Sequence, residues 1–311
     1  MSRFARIAVV TGANKGIGYG LALHLALRYP CSRFNTGHLL VILTARDPSR
    51  GQHAIDQISS DERLTKARIL ASQGGLVSFE WKLLDISSRP SIDAFVRDLA
   101  QEHNGIDILV NNAGIEQPGF DMQSISATLL TNFHGTVYLS TTILPHLRKS
   151  TDSRLVNIAS VDGVLDDQYS EEMKARFHSA ARNAEMALTL EEAVRPASRL
   201  MSEFEALAAL GPDALTHAGF PRHSYAVSKA GLIAATRCIA LKTRHSNTSG
   251  EIQDAFPLVV SCCPGWVRTD LTHGRGDKDV TEGVVTPLHV MLQDIGHQTG
   301  DFWSELEVVE W

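Results

Sequence analysis

Six short, nearly continuous apolar runs, Ile7 to Val10, Leu39 to Thr44, Val77 to Leu84, Ile108 to Asn111, Leu155 to Ile158 and Leu258 to Cys262, alternate with segments of helical spacing. Alternation of this kind predicts βαβ units. Strands without a polar face are expected where helices cover both sides of a parallel sheet. The pattern therefore predicts an α/β fold with a doubly wound parallel sheet. Residues 162–223 interrupt the rhythm with two polar, Ala- and Glu-rich helical patterns and no strand between them. Thr189 and Glu192 have the spacing of a capping box opening the second of these helices. With no repeat and no low-complexity linker, the chain reads as one domain over 1–311 with a helical insert at about 162–223.

Charge and cysteine use narrow the partners. A formal net charge of -6 gives no general attraction to nucleic acid or anionic lipid. Runs such as Leu39 to Leu43 are far shorter than the about 20 apolar residues a membrane helix needs. Cys31, Cys238, Cys262 and Cys263 have no metal-ligand spacing, and the 13 histidines form no HExxH-type cluster. The expectation is a soluble cytoplasmic protein with free thiols, no metal, and a small-molecule partner.

The first run leads directly into Thr11-Gly12-Ala13-Asn14-Lys15-Gly16-Ile17-Gly18, followed by a helical pattern. Strand, glycine turn and helix start together suit a pyrophosphate, because backbone can approach it closely and free N–H groups face it. After the second run comes Thr44-Ala45-Arg46-Asp47, with no acidic residue at the position of Ala45. A carboxylate there would repel a 2′-phosphate, whereas the Arg46 guanidinium would bind one. Lys15 and Arg50 are further candidates for that anion site, or solvated surface charges.

TGxxxGxG, with Asn111-Asn112-Ala113-Gly114 after the fourth run, Ser160 after the fifth, Tyr225-xxx-Lys229 and Pro264-Gly265-Trp266-Val267-Arg268-Thr269 after the sixth, resembles the short-chain dehydrogenase/reductase family. The match to its carbonyl reductase branch runs from about residue 5 to Trp311, with Gly300-Asp301-Phe302-Trp303 as a last strand. The resemblance implies a Rossmann-like sheet, NADPH/NADP+ as cofactor and hydride transfer to a ketone or aldehyde. Gly12, Asn14, Lys15, Gly16, Ile17, Gly18, Arg46, Arg50, Asp85, Ile86, Asn112, Ala113, Gly114, Pro264, Gly265, Val267 and Thr269 would line the cofactor. Asp85 would accept from the adenine amine, unless it is a helix cap, and Asn111 and Asn112 would satisfy local backbone groups. Tyr225 would donate the proton, Lys229 would support it and hold the nicotinamide ribose, Ser160 would bond the carbonyl, and Asn132 would orient a relay water.

The branch further implies a monomer, because its insert covers the helix face that other members use to form tetramers. A pathway-specific alcohol dehydrogenase and a non-catalytic cofactor-binding scaffold are the competing readings. Asp162 stands two residues beyond Ser160, where an apolar pocket residue is expected. It reads as a solvated loop carboxylate, or else Asp162 or the insert selects polar or cationic substrates.

Overall fold

The computed structural model describes residues 4–182, 184–246, 256–296 and 298–311. Residue 183 of the expected insert thus lies outside the described residues. Strands β1 (Arg6–Val10), β2 (Leu39–Ala45), β3 (Val77–Leu83), β4 (Ile108–Asn111), β5 (Arg154–Ile158), β6 (Leu258–Cys262), β7 (Phe302–Ser304) and β8 (Glu307–Val308) form one sheet in the order β3-β2-β1-β4-β5-β6-β7-β8. All neighbours are parallel except β7 and β8. Order reverses between β1 and β4, the switch point at which α/β sheets bind ligands.

Alternate strand residues enter two cores. Ile7, Val9, Leu109, Leu155 and Val259 face one helix layer, and Ala8, Val10, Val110, Val156 and Val260 face the other. The strands are mostly apolar for that reason, with Arg154, Asn157 and Ser261 among the buried polar exceptions. β3 is different, since Ser78, Glu80 and Lys82 are only partly buried and the strand lies at the sheet edge.

Helices α1 (Gly16–Arg28), α2 (Pro48–Ser59), α3 (Glu62–Lys66), α4 (Arg89–Glu102), α5 (Met122–Leu129) and α6 (Thr136–Ile143) make the first crossovers. A π-helical turn, Leu130–Gly135, joins α5 to α6 and carries Asn132. A Cβ on Gly135 would lie 1.8 Å from the Ile86 carbonyl oxygen, so only glycine lets this turn seat against the loop after β3.

The segment between β5 and the tyrosine contains α7 (Glu171–Ala180), α8 (Leu190–Leu210) and α9 (Pro212–His217), one helix more than expected. Thr189 caps α8 by accepting from Glu192 N at 3.1 Å, but Glu192 reaches back to Leu188 N at 2.9 Å instead of Thr189 N. The reciprocal bond is therefore displaced by one residue. α7 and α8 pack on α10 (Ser224–Ser246), and edge-to-face contacts link Phe120, Phe204, Phe220, Phe177 and Trp311 beside them. Every α10 residue from Ser224 to Thr236 is buried. α11 (Val280–Gly283) and α12 (Val285–Leu292) complete the opposite layer.

Candidate active site

The turn after β1 is built for close approach. Gly12 has φ +61° and Gly16 φ +57°, which side chains disfavour. A Cβ on Gly12 would meet Ala113 Cα at 3.0 Å, and one on Gly18 would meet Asn112 Nδ2 at 2.5 Å and the Gly12 carbonyl oxygen at 2.7 Å. The neighbouring loop is pinned to this turn. The Thr11 hydroxyl accepts from Asn112 N and Ala113 N at 2.9 and 3.0 Å, and Asn112 Nδ2 donates to the Thr11 carbonyl at 2.9 Å.

Asn112 thus bonds local backbone as expected, but Asn111 does not. Its Nδ2 donates to Ser140 Oγ and Asn157 Oδ1, each at 2.8 Å. Asn111 ends β4 beside β5, where the nearest acceptors are side chains of the sheet and of α6.

From the third side comes the loop after β6. Val267 is buried and pairs with Lys278, Arg268 N donating to the Lys278 carbonyl at 2.9 Å. A Cβ on Gly16 would lie 3.6 Å from the Thr269 methyl, so this loop reaches the glycine turn. Trp266 is exposed. Asp85 accepts from Ser87 N at 2.9 Å and Ser87 Oγ at 2.6 Å through one oxygen, a local turn bond.

A basin opens at the edge of the glycine turn, lined by Asn14, Lys15, Ser49, Arg50, His53 and Asp270. Lys15 Nζ donates to the Asp270 carboxylate, whose pKa it lowers. Arg46 is exposed after β2 and does not line this basin. His53 and Asp270 were not singled out in the sequence. The three-residue spacing of Arg50 and His53 on α2 puts both on one helix face and was the available signal. A glycine cradle ending in Lys15, Arg50 and His53 fits a dinucleotide with an additional phosphate.

Asn132, Ser160, Tyr225 and Lys229 are all buried, at 1, 9, 9 and 4 % exposure, although 64 residues separate the serine from the tyrosine. Gly163 brings them together. A Cβ there would lie 2.7 Å from the Lys229 backbone, so the turn carrying Ser160 sits directly on α10. Trp311 Nε1 donates to the Gly163 carbonyl at 2.6 Å and holds that turn from behind.

Lys229 Nζ donates to the Ile158 carbonyl at 2.8 Å and lies 5.4 Å from the centre of the Tyr225 ring. Asn132 Oδ1 accepts from Ile115 N, and its Nδ2 donates to the Ile115 carbonyl, both at 2.8 Å, and to Ser228 Oγ at 3.1 Å. A Cβ on Gly114 would lie 3.3 Å from Asn132 Oδ1 and 3.6 Å from Lys229 Nζ. The missing side chain leaves those two polar atoms facing one space.

Burial governs the ionisation of the pair. It raises the Tyr225 pKa, helped by the Asp162 carboxylate, the Cys263 sulphur and the Glu116 carboxylate, while the Ser160 hydroxyl opposes them. Burial likewise pushes Lys229 down to about 8, opposed by the nearby Asp162 carboxylate. At neutral pH the phenol holds its proton beside an ammonium. Loss of the ammonium above about pH 8 removes positive charge next to the proton donor. Reduction kcat/KM is therefore expected to be level at lower pH and to fall as pH rises through that value. A pH–rate profile that rises there would contradict the assignment.

Among the described residues, Glu80, Glu102 and His103 also lie close together. Lys82 donates to Glu102 at 2.7 and 2.8 Å and pairs with Glu80 at 3.1 Å, so an ammonium already serves both carboxylates. Among the described residues, no helix is long and apolar enough to cross a membrane.

The model of the short chain dehydrogenase family matches residues 6–175. Carbonyl reductase (NADPH) 1 of Bos taurus is 34% identical over 319 positions, covering 100% of each chain. Carbonyl reductase (NADPH) 3 of Rattus norvegicus is 32% identical over 299 positions, 94% of this chain and 92% of that one. Among solved structures, salutaridine reductase of Papaver somniferum superposes with a TM-score of 0.71 at 23% identity, covering 96% of this chain and 99% of the other. The NADPH-bound carbonyl reductase of chicken fatty liver gives 0.60 at 24% identity over 100% of both chains. These two likenesses speak for the fold.

Proposed function

The chain belongs to the short-chain dehydrogenase family, and from that premise we propose that it is an NADPH-dependent carbonyl reductase acting on a small ketone or aldehyde. The observation that carries this reading is the burial of Ser160, Tyr225 and Lys229 at the switch-point end of the sheet, next to a glycine cradle edged by cations. Similarity over the full chain to NADPH carbonyl reductases supports it.

Gly12, Asn14, Gly16, Ile17 and Gly18 would hold the pyrophosphate against the start of α1, and Lys15, Arg50 and His53 the 2′-phosphate, with Arg46 nearby in the chain. Asp85 and Ile86 would border the adenine, Asn112, Ala113 and Gly114 the ribose side, and Pro264, Gly265, Val267 and Thr269 the nicotinamide. NADPH, when bound, supplies a hydride to the carbonyl carbon. Ser160 Oγ orients the carbonyl oxygen, and Tyr225 Oη transfers its proton to that oxygen as negative charge grows there. An alkoxide is a far stronger base than a phenolate, so the transfer runs downhill even from a phenol whose pKa burial has raised. Lys229 Nζ stabilises the phenolate left behind, and the space over Gly114 suits a proton relay between Lys229 and Asn132.

Two cations facing one phosphate divide its affinity between them. Arg50→Ala and Lys15→Ala should each weaken NADPH binding by about tenfold, since a charged hydrogen bond is worth roughly 1.5–3 kcal/mol. NADH binding should hardly move. Equal losses for both nucleotides in calorimetric titrations would remove these residues from phosphate recognition.

We further propose one catalytic domain over 1–311 with the insert at 162–223, working as a cytoplasmic monomer. The single sheet and the insert helices that bury α10 support the first and last points. The four free cysteines are in keeping with a reducing compartment. The reductase reading is tested by following NADPH oxidation across ketone and aldehyde classes, with Tyr225→Phe as the blank.

A further inference from the structure

The charge around the reacting end of the site is negative. Asp162 is exposed in the turn Val161–Gly163 and pairs with no cation among the described residues. Its backbone N–H donates to Ser160 Oγ at 3.2 Å, so it is fixed one turn from the serine hydroxyl. The tight fit of Gly163 on Lys229 prevents that turn from drawing back.

Glu116 stands on a different loop, the one after β4. It follows Ile115, whose N–H and carbonyl are both clamped by the Asn132 amide at 2.8 Å. Its carboxylate lies 3.6 Å from His223 Nε2 and is 42% exposed, and the His223 ring lies 6.3 Å from that of Tyr225. Both carboxylates raise the Tyr225 pKa, so their charge reaches the phenol. The nearby ammonium, Lys229, is buried and bonded to Ile158, while Lys278 pairs with Glu305 and Arg268 bonds the carbonyls of Gly276 and Asp277. Like charges with low-dielectric walls focus their field on the opening between them.

We propose that Asp162 and Glu116 form an anionic collar over Tyr225 and Ser160 and select carbonyl substrates that carry a cationic amine. The inference deepens the reductase reading and depends on it for the carbonyl, but not for the charge. A solvated lone carboxylate would give no such preference. Two of them, held on separate loops with both charges felt by the reacting phenol, do.

The test compares 4-(trimethylammoniomethyl)acetophenone with 4-neopentylacetophenone, which differ in charge and little in shape. Wild type should favour the charged ketone roughly tenfold in kcat/KM at low salt, about what two partly exposed charges contribute. The ratio should shrink as ionic strength rises. It should fall by about threefold in Asp162→Asn, approach one in Asp162→Asn/Glu116→Gln, and be retained in Asp162→Glu. A wild-type ratio near one, or a ratio unchanged in the double variant, overturns the proposal. Calorimetric titration of the charged ketone, with NADP+ present, reads the same preference without turnover. If neither ketone is reduced but the charged one binds wild type more tightly than the double variant, the reductase reading fails and the collar stands. Equal binding overturns the collar.

Discussion

Tyr225→Phe is expected to lower kcat for ketone reduction by about 10³-fold, within the range for removal of a positioned proton donor. The phenol is the buried hydroxyl next to an ammonium, with Lys229 Nζ 5.4 Å from its ring centre, and Ser160 has no acidity with which to replace it. The ring itself remains, so the walls of the cavity and the seating of α10 are retained. NADPH should still bind, as read by fluorescence titration. A variant that keeps wild-type kcat would move the proton donor to another group, and a variant that no longer binds NADPH would give the tyrosine a structural role instead.

The second large effect is expected at the cofactor turn. Gly18→Val puts a branched side chain where a bare Cβ would already lie 2.5 Å from Asn112 Nδ2, 2.7 Å from the Gly12 carbonyl oxygen and 2.9 Å from Ala13 Cα. Gly12 cannot retreat, because its own Cβ position is 3.0 Å from Ala113 Cα. The start of α1 must shift and the bond from Asn112 to Thr11 must break. NADPH affinity should fall roughly 100-fold, and overpacking should cost about 2 kcal/mol of stability. Calorimetric titration and thermal unfolding measure the two effects separately. Unchanged affinity would mean that this turn does not hold the pyrophosphate.

What the chain discloses of itself follows from where physics leaves few choices. β1, β2, β4, β5 and β6 are buried on both faces, so their residues are mostly apolar and their limits are visible to within a residue or two. β3, an edge strand of mixed polarity, is still read to within one residue, whereas β8 is two exposed residues with no periodicity to read. α9 is a six-residue helix between Gly211 and Ala218, too short to carry a hydrophobic stripe. The glycine turn is legible because close backbone contact excludes every other residue. Tyr225 and Lys229 are legible because four positions on a helix share a face.

Charge contributed from separate loops is not written in any local pattern. Glu116 reaches the Tyr225 environment because Asn132 fixes the backbone before it, and Asp162 because Gly163 fits against α10. Asp162 is still visible from its place two residues beyond Ser160, whereas nothing in the sequence marks Glu116. Asn111 shows the reverse case, a motif residue whose partners are dictated by its place between two strands and not by its neighbours in the chain.

The most direct test of the central claim is isotopic. With NADPH deuterated at the transferring position of C4, incubation with ketones and aldehydes of several classes should give alcohol carrying one deuterium at the carbinol carbon. Tyr225→Phe should give almost none in the same time. Tight binding of NADPH without deuterated alcohol from any class would contradict carbonyl reduction and leave a cofactor-binding protein with a different task.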